Sequence, residues 1–348
     1  MEYDRPGTTA QAAAPRRVRN IAELAKIAGV SAGTVSRALA GKDLVNAETR
    51  ERIQALAREH GFRPNQMARR LRTQRTGVIG VVIPLGHERR QHISDPFFMY
   101  LLGLLADELT EGGYDLMLSR VVPGDAEWLD RFVDSGMLDG AIVIGQSDQF
   151  AVIERVAERY LPMVVWGVRS PGQKHCSVGS DNIEGGRLAA RRLIEQGCRR
   201  IAFFGDPNAI EIAHRYEGVQ RAVAEAGPDC SVIDLPTHLS SDEMDAQIAS
   251  YLDGPAREVD GIVAASDTIA VSTVRLLLER GIAVPGDVRV IGFDDLPLAS
   301  QTVPQLTTIH QDIARGAKIM VDSLMRRIAG DHVASTVMDP ELVVRASG

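Results

Sequence analysis

From Gly77 to the C-terminal end the chain repeats one pattern. Short, nearly all-apolar runs, "GVIGVVI" (77–83), "YDLMLSR" (114–120), "GAIVIG" (140–145), "PMVVWG" (162–167), "RIAFFG" (200–205), "GIVAAS" (261–266) and "VRVIGFD" (288–294), alternate with helical patterns such as those at 100–109, 184–196, 215–226 and 269–280. A strand that is apolar on both faces must be covered on both faces, and intervening helices supply that cover. The alternation therefore predicts an α/β fold with parallel sheets. About ten such units exceed one ordinary sheet, so two lobes are expected over 77–348. Ligands of such folds sit at the carboxyl ends of the strands, in the crevice between lobes.

The first 76 residues follow different rules. Residues 1–15 are rich in Ala, Thr, Pro and Gly without periodic apolar positions, and read as a disordered tail. Then Ile21, Leu24, Ala25 and Ala28 fall at i, i+3, i+4, i+7, with Asn20 placed to cap and Glu23 three residues on. Gly29 supplies a left-handed turn, and Ser31 stands where a second helix must begin, with Val35, Ala38 and Leu39 on its inner face. A third helix opens at Asn46, carries Glu48 near its positive end, buries Ile53, Leu56 and Ala57, and stops at Gly61. Three short helices, the first two joined by a tight glycine turn, make a helix-turn-helix unit over 16–63. The segment "PNQMARRLRTQRT" (64–76) has Asn65 as a cap but only about eight residues before Thr73, too few for a helix stable alone in water. It reads as a linker that becomes helical when something holds it.

Charge divides the chain along the same line. Residues 16–76 carry 14 Lys and Arg against 5 Asp and Glu, whereas 77–348 carry 24 against 39, so the net charge of −7 conceals a basic head on an acidic body. Local positive charge neutralises phosphates and releases their counterions, which points the head, and not the body, at nucleic acid. No apolar run approaches the roughly eighteen residues of a membrane span, and "MEYDRPGTTAQAAAPRR" lacks the apolar core of a signal peptide; a cytoplasmic protein with no membrane partner is expected. Cys176, Cys198 and Cys230 are widely spaced, without a C-x-x-C pair, and read as free thiols.

Enzyme motifs fail one by one. Gly29-Val30-Ser31-Ala32-Gly33 matches G-x-S-x-G, yet a nucleophile elbow needs a strand before the serine, and "IAELAKIAG" is an amphipathic helix. Ser31 is instead expected to cap the helix that follows. Gly41-Lys42 lacks the glycine at 36 that a phosphate loop requires, since that position is Ser36. No G-x-G-x-x-G follows the first α/β strand, and the eight histidines are scattered. Neither cofactor, metal nor catalytic activity is expected.

"SAGTVSRAL" (31–39), followed by "VNAETRERIQALAREHGFRPNQMARRL" (45–71), resembles the lactose-repressor/galactose-repressor family of bacterial transcription regulators, and the similarity extends over residues 18 to about 345. The body is similar in spacing to periplasmic sugar-binding proteins. The resemblance implies that the helix from Ala32 to Leu39 enters the major groove of an operator, with Arg37 placed to read a guanine. Ala32 and Gly33 occupy the family's two leading specificity positions without a hydrogen-bonding side chain. Thr34, Ser36, Asn46 and Thr49 are suited to phosphate contacts, and Ser31 joins the DNA-binding set as the cap of the reading helix. In the linker, Asn65 would cap a helix that pairs with its dimer mate in the minor groove, Ala68 would allow close approach, and Leu71 would wedge between base pairs, so that Leu71→Ala weakens operator binding alone.

For the body, the resemblance implies a small-molecule effector, sugar-like in chemistry. "SDPFF" (94–98) brings Asp95, Phe97 and Phe98 from one lobe; Arg215 of "HRYEG", Ser266 and Thr268 of "ASDT", and Asp294 of "GFDD" come from the other, with Gln311 of "IHQD" in the crossover. Aromatic faces stack on a pyranose while carboxylates and guanidinium fork onto vicinal hydroxyls. Trp166 is either a stacking residue or core; Arg215 either reads the effector or pairs with Glu217 or Asp181. Gly167 stands where the relatives often carry an acid, and Ser266 where they often carry Asn. A nucleobase corepressor or a protein partner are the alternatives to a sugar. The chain ends soon after "ELVVR" without a heptad tail, so a homodimer on a palindromic operator is expected.

Overall fold

In the basic head, local capping and a small apolar core account for all three helices. Asn20 caps α1 (Ile21–Ala28): its carbonyl oxygen accepts the Glu23 N–H at 2.9 Å while its amide donates to the Glu23 carboxylate at 3.2 Å. Gly29, at φ 67°, ends the helix in the left-handed conformation that side chains rarely adopt. α2 (Ala32–Leu39) and α3 (Ala47–Glu59) follow, the latter capped by Asn46, whose carbonyl oxygen accepts the Thr49 N–H at 2.8 Å. Leu24, Ala28, Val35, Ala38, Ile53 and Phe62 close over one another as the core. Removing a side chain the size of Leu24 or Ile53 would cost about 2–5 kcal/mol, a large share of what a core this small supplies.

This computed structural model describes residues 18, 20–39, 45–62, 75–85, 91–146, 148–239 and 241–348. The tail 1–15 and the linker residues Asn65, Ala68 and Leu71 lie outside the described residues. The chain divides between Arg75 and Thr76 into two compact units. No helix among the described residues is long and apolar enough to cross a membrane.

The acidic body is two six-stranded sheets. In the first lobe, β1 (Val78–Pro84), β2 (Asp115–Val121), β3 (Gly140–Ile144), β4 (Met163–Trp166) and β5 (Cys176–Ser180) are joined by the late β11 (Thr336–Met338), in the order β11-β5-β4-β3-β1-β2. Alternate residues of one strand serve opposite faces: Ile79, Val81 and Ile83 meet α4 (Pro96–Glu111) and α11 (Ile313–Ile328), whereas Val82 meets α5 (Trp128–Val133) and α6 (Phe150–Ala157). The second lobe has the order β12-β10-β9-β8-β6-β7, from β6 (Arg200–Phe204), β7 (Ser231–Leu235), β8 (Gly261–Ala264), β9 (Arg289–Asp294), β10 (Thr307–His310) and β12 (Glu341–Val343). Its helices are α7 (Asn182–Glu195), α8 (Ile210–Ala226), α9 (Ser241–Asp253) and α10 (Asp267–Glu279).

The chain passes between lobes three times, after β5, β10 and β11. This explains the one departure from all-parallel pairing among the described strands. β10 runs toward the interlobe plane and ends at His310, while β12 leaves that plane from Glu341, so the two pair antiparallel with His310 opposite Glu341. Cys176, Cys198 and Cys230 are free and buried, as read from their spacing.

Candidate DNA-reading surface and effector cleft

On the head, the Ser31 hydroxyl oxygen accepts the Thr34 N–H at 3.1 Å and lies 2.9 Å from the Thr34 hydroxyl. That is a helix cap, not a nucleophile, because α1 rather than a strand precedes it. Around this cap Ala32, Gly33 and Arg37 are exposed and Thr34 and Ser36 half-buried, while Val35 and Ala38 turn inward. A methyl group at Gly33 would meet nothing closer than 3.7 Å, so the fold does not require glycine there. Its bareness is a property of the exposed surface and not of packing.

In the body, the carboxyl ends of the strands face each other across a cleft with about 710 Å³ of empty space, open to solvent. The first lobe contributes an apolar wall. Asp95 caps α4, accepting the Phe97 N–H at 2.9 Å, and so fixes the turn that presents Phe97 and Phe98. The Phe97 ring centroid lies 5.9 Å from that of Trp166 and 5.8 Å from that of Phe98, both in tilted or edge-on geometry. Trp166 is only 4% exposed, so it both packs in the core and lines the cleft. Leu85 and Ile144 extend the same wall.

The second lobe contributes a charged floor. Arg215 is 8% exposed; its Nε donates to Asn182 Oδ1 at 2.8 Å, its Nη1 donates to the Ala265 carbonyl and lies 3.8 Å from Asp294 Oδ1, and its guanidinium stacks 3.7 Å over the Phe293 ring centroid. Glu217 pairs instead with Arg221, and Asp181 caps α7 through the Glu184 N–H. Arg215 is therefore aimed at the cleft floor rather than at either acid named as a structural partner from sequence. Burial pushes the Asp294 carboxyl well above the usual carboxylate range, Arg215 draws it down, and Asp267 and Asp95 raise it again. Asp294 holds φ 118°, a region that side chains rarely occupy and that costs about 1–3 kcal/mol. The carboxylate is held there by the Gln311 amide and faces Arg215.

Of the residues expected from sequence, Asp95, Phe97, Phe98, Trp166, Arg215, Ser266 and Asp294 line this cleft. Thr268 is half-buried in the first turn of α10 and is not among the lining residues. Gln311 stands behind the floor, 1% exposed, its amide donating to Asp294 Oδ1 at 2.5 Å. Ser266 caps α10 by accepting the Ile269 N–H at 3.3 Å, and its neighbour Asp267 is sealed in the core, accepting from the Thr308 hydroxyl at 2.6 Å and the Leu296 N–H at 2.8 Å. Burial pushes the Asp267 carboxyl up to about 7.

Sequence reasoning missed Gln91, Ile212, Leu239 and Glu211 in the lining. Glu211 reaches across the cleft, where its Oε1 accepts the Gln146 N–H at 3.2 Å. In sequence it reads as an ordinary acid in a first helical turn. Gln146 also explains the bare Gly167: a methyl group there would lie 2.8 Å from the Gln146 side chain, which fills that space. The Gln146 amide is paired with both backbone groups of Val168 at 3.1 Å and lies 2.9 Å from His175 Nε2, while His175 Nδ1 meets Glu154 at 2.5 Å. With Nε2 accepting from the amide, the ring is a neutral Nδ1–H tautomer, and burial lowers its affinity for a second proton.

Comparison with known proteins places this geometry. Residues 20–65 match the bacterial regulatory proteins of the lacI family, and residues 190–348 match the periplasmic binding protein-like domain. The HTH-type transcriptional regulator CelR of Thermobifida fusca is 31% identical over 340 residues, spanning 96% of this chain and 99% of that one. A solved transcriptional regulator CelR–cellobiose complex is similar with TM-score 0.66 and 29% identity over 95% of this chain and 100% of that one. The lac repressor dimer bound to operator and the anti-inducer ONPF has the same fold, with TM-score 0.81 and 23% identity over 95% and 99% of the two chains. With a lacI-type head, a periplasmic-binding-protein-like body and a relative matched over nearly its whole length, the chain belongs to the LacI family of helix-turn-helix transcriptional regulators, which are DNA-binding proteins and not enzymes.

Proposed function

We propose that the protein is a cytoplasmic transcriptional repressor whose affinity for a palindromic operator is switched by a sugar-like effector bound between the two lobes. The observation that carries this reading is the cleft itself, with Phe97, Phe98 and Trp166 on one side and Arg215, Asp294 and Glu211 on the other. Rings stack on the apolar face of a pyranose, and the charged groups match its hydroxyls. The bound cellobiose of the CelR complex supports a sugar in this cleft. On the head, exposed Arg37 is the group that reads a base edge, and the bare Ala32 and Gly33 let the helix backbone approach the groove.

We assign the dimer contact to the apolar surface beside α10, where Leu278 is 44% and Val303 87% exposed next to Val271 and Val274. A two-fold dimer then sets the half-site spacing of the operator. A thermal-shift screen against sugars, sugar acids and nucleobases tests the effector reading. A specific ligand well above its Kd stabilises by about 2–4 kcal/mol. Cellobiose or another neutral sugar is expected to raise the melting temperature; a flat response to every sugar overturns the sugar assignment.

A further inference from the structure

The lobes are joined by three passages of the chain, and two of these are hydrogen-bonded directly to the two charged residues of the cleft floor. After β5, the Ser180 carbonyl accepts from the Asn182 amide at 3.1 Å, and Asn182 Oδ1 accepts from Arg215 Nε at 2.8 Å. After β10, the Gln311 amide donates to Asp294 Oδ1 at 2.5 Å, and the Gln311 carbonyl accepts from the Ser180 hydroxyl at 3.2 Å. Arg215 Nη1 and Asp294 Oδ1, 3.8 Å apart, complete the circuit. Ser180, Asn182, Arg215, Asp294 and Gln311 thus form one ring, and each is at least nine-tenths buried. The third passage is tied to the first by the Asp181 N–H on the Met338 carbonyl at 2.9 Å.

We propose that Asn182 and Gln311 are positioning residues that make effector recognition and lobe orientation a single unit. The inference rests on the reading of the cleft as the effector site and deepens it. A ligand that draws the Arg215 guanidinium or the Asp294 carboxylate toward itself pulls on Asn182 or Gln311, and both of these lie on the segments about which the lobes turn. Each member is at least nine-tenths buried and bonded to the next, so a shift at one is passed along the ring through short hydrogen bonds. Ser180 is the keystone: its hydroxyl ties the first passage to the Gln311 carbonyl of the second while its own carbonyl holds the Asn182 amide, and it touches neither charged residue.

The test reads lobe orientation without any ligand, so it is independent of the effector's identity. Nitroxide labels on cysteines introduced at exposed Ala126 in the first lobe and exposed Ala224 in the second report the interlobe distance distribution by pulsed electron resonance; the native cysteines are buried. Asn182→Ala, Gln311→Ala and the milder Ser180→Ala are each expected to broaden the distribution or shift it. Thr273→Val is the control, because it removes a hydroxyl that is fully buried in the second lobe and bonded only within α10, to the Ile269 carbonyl. It should leave the distribution as in the unsubstituted protein. Ser180→Ala keeps the decision open if the larger truncations do not fold. Distributions for Ser180→Ala and any folded ring variant that superimpose on the unsubstituted one overturn the inference. Failure of every sugar in the thermal-shift screen would instead overturn the effector reading and leave this ligand-free result standing.

Discussion

At Gly186 a methyl group would lie 1.9 Å from the Arg215 carbonyl oxygen, and at Gly218 one would lie 1.9 Å from that of Ile183. α7 and α8 therefore touch backbone to backbone, and this contact sets where Arg215 enters the cleft. In Gly186→Ala the new methyl must retreat by about 1.1 Å merely to reach 3.0 Å, below which such contacts essentially never occur. Neither helix backbone can yield locally, so the helices separate. The 2.8 Å bond from Arg215 Nε to Asn182, stretched by that amount, leaves hydrogen-bonding range. Overpacking costs about 1–3 kcal/mol and a lost hydrogen bond to a buried charge about 1.5–3 kcal/mol. The sum, roughly 2.5–6 kcal/mol, corresponds to a fall of about 5–20 °C in melting temperature for a body of this size. Gly103→Ala is the paired control: Gly103 is exposed within α4 and a methyl there meets nothing within 4 Å, so it should stabilise by about 0.5–1 kcal/mol. Calorimetry on both variants decides. A Gly186→Ala protein melting within about 2 °C of the unsubstituted one would refute the close-approach account.

Further outcomes follow from single contacts. Ser31→Ala removes the cap of α2 and should destabilise the head by about 1 kcal/mol, seen in its helical melting, while Ser31→Asp should not. Asp267, raised in the folded state to about 7 from an unfolded value of about 3.9, holds a proton that the unfolded chain releases. Its contribution is fully present below about pH 4 and is lost as pH rises through about 7, at up to about 1.4 kcal/mol per unit. Asp267→Asn keeps both hydrogen bonds once the Thr308 hydroxyl turns to accept, so its melting temperature should fall less between pH 5 and 8; an unchanged pH slope would show that Asp267 is ionised in the fold. Val303→Glu places a charge in the groove assigned to the second copy and should shift sedimentation from dimer to monomer; an intact dimer would move the interface elsewhere.

How much was legible in the sequence depends on which physical signal a residue carries. Ile21, Leu24, Ala25 and Ala28, Gly29 and the caps Asn20, Ser31 and Asn46 were all readable, because capping and amphipathic spacing are local and here agree with the tertiary packing. β1, β2, β3, β4, β6, β8 and β9 announced themselves as apolar runs. β5, "CSVGS", did not, although every residue in it is buried, because its polarity is satisfied from elsewhere in the chain: the Ser177 N–H donates to Ser335 Oγ at 2.9 Å and Gln173 donates to Ser177 Oγ at 2.8 Å. In the cleft, motif spacing found Arg215 and Asp294 but put Gln311 in the ligand's path. Only the geometry shows that its amide is already engaged by Asp294. Glu211 was silent for a related reason, since a first-turn acid has a sufficient local explanation and its partner Gln146 lies in the other lobe.

The central claim is that one molecule couples a DNA-reading head to a ligand-reading cleft. An operator duplex selected from a random pool, labelled and titrated with protein by fluorescence anisotropy, with and without the sugar found by thermal shift, measures that coupling directly. The account predicts that saturating sugar changes operator affinity by about 5- to 150-fold, and that operator changes sugar affinity by the same factor. Operator affinity that stays the same with the cleft saturated would contradict it.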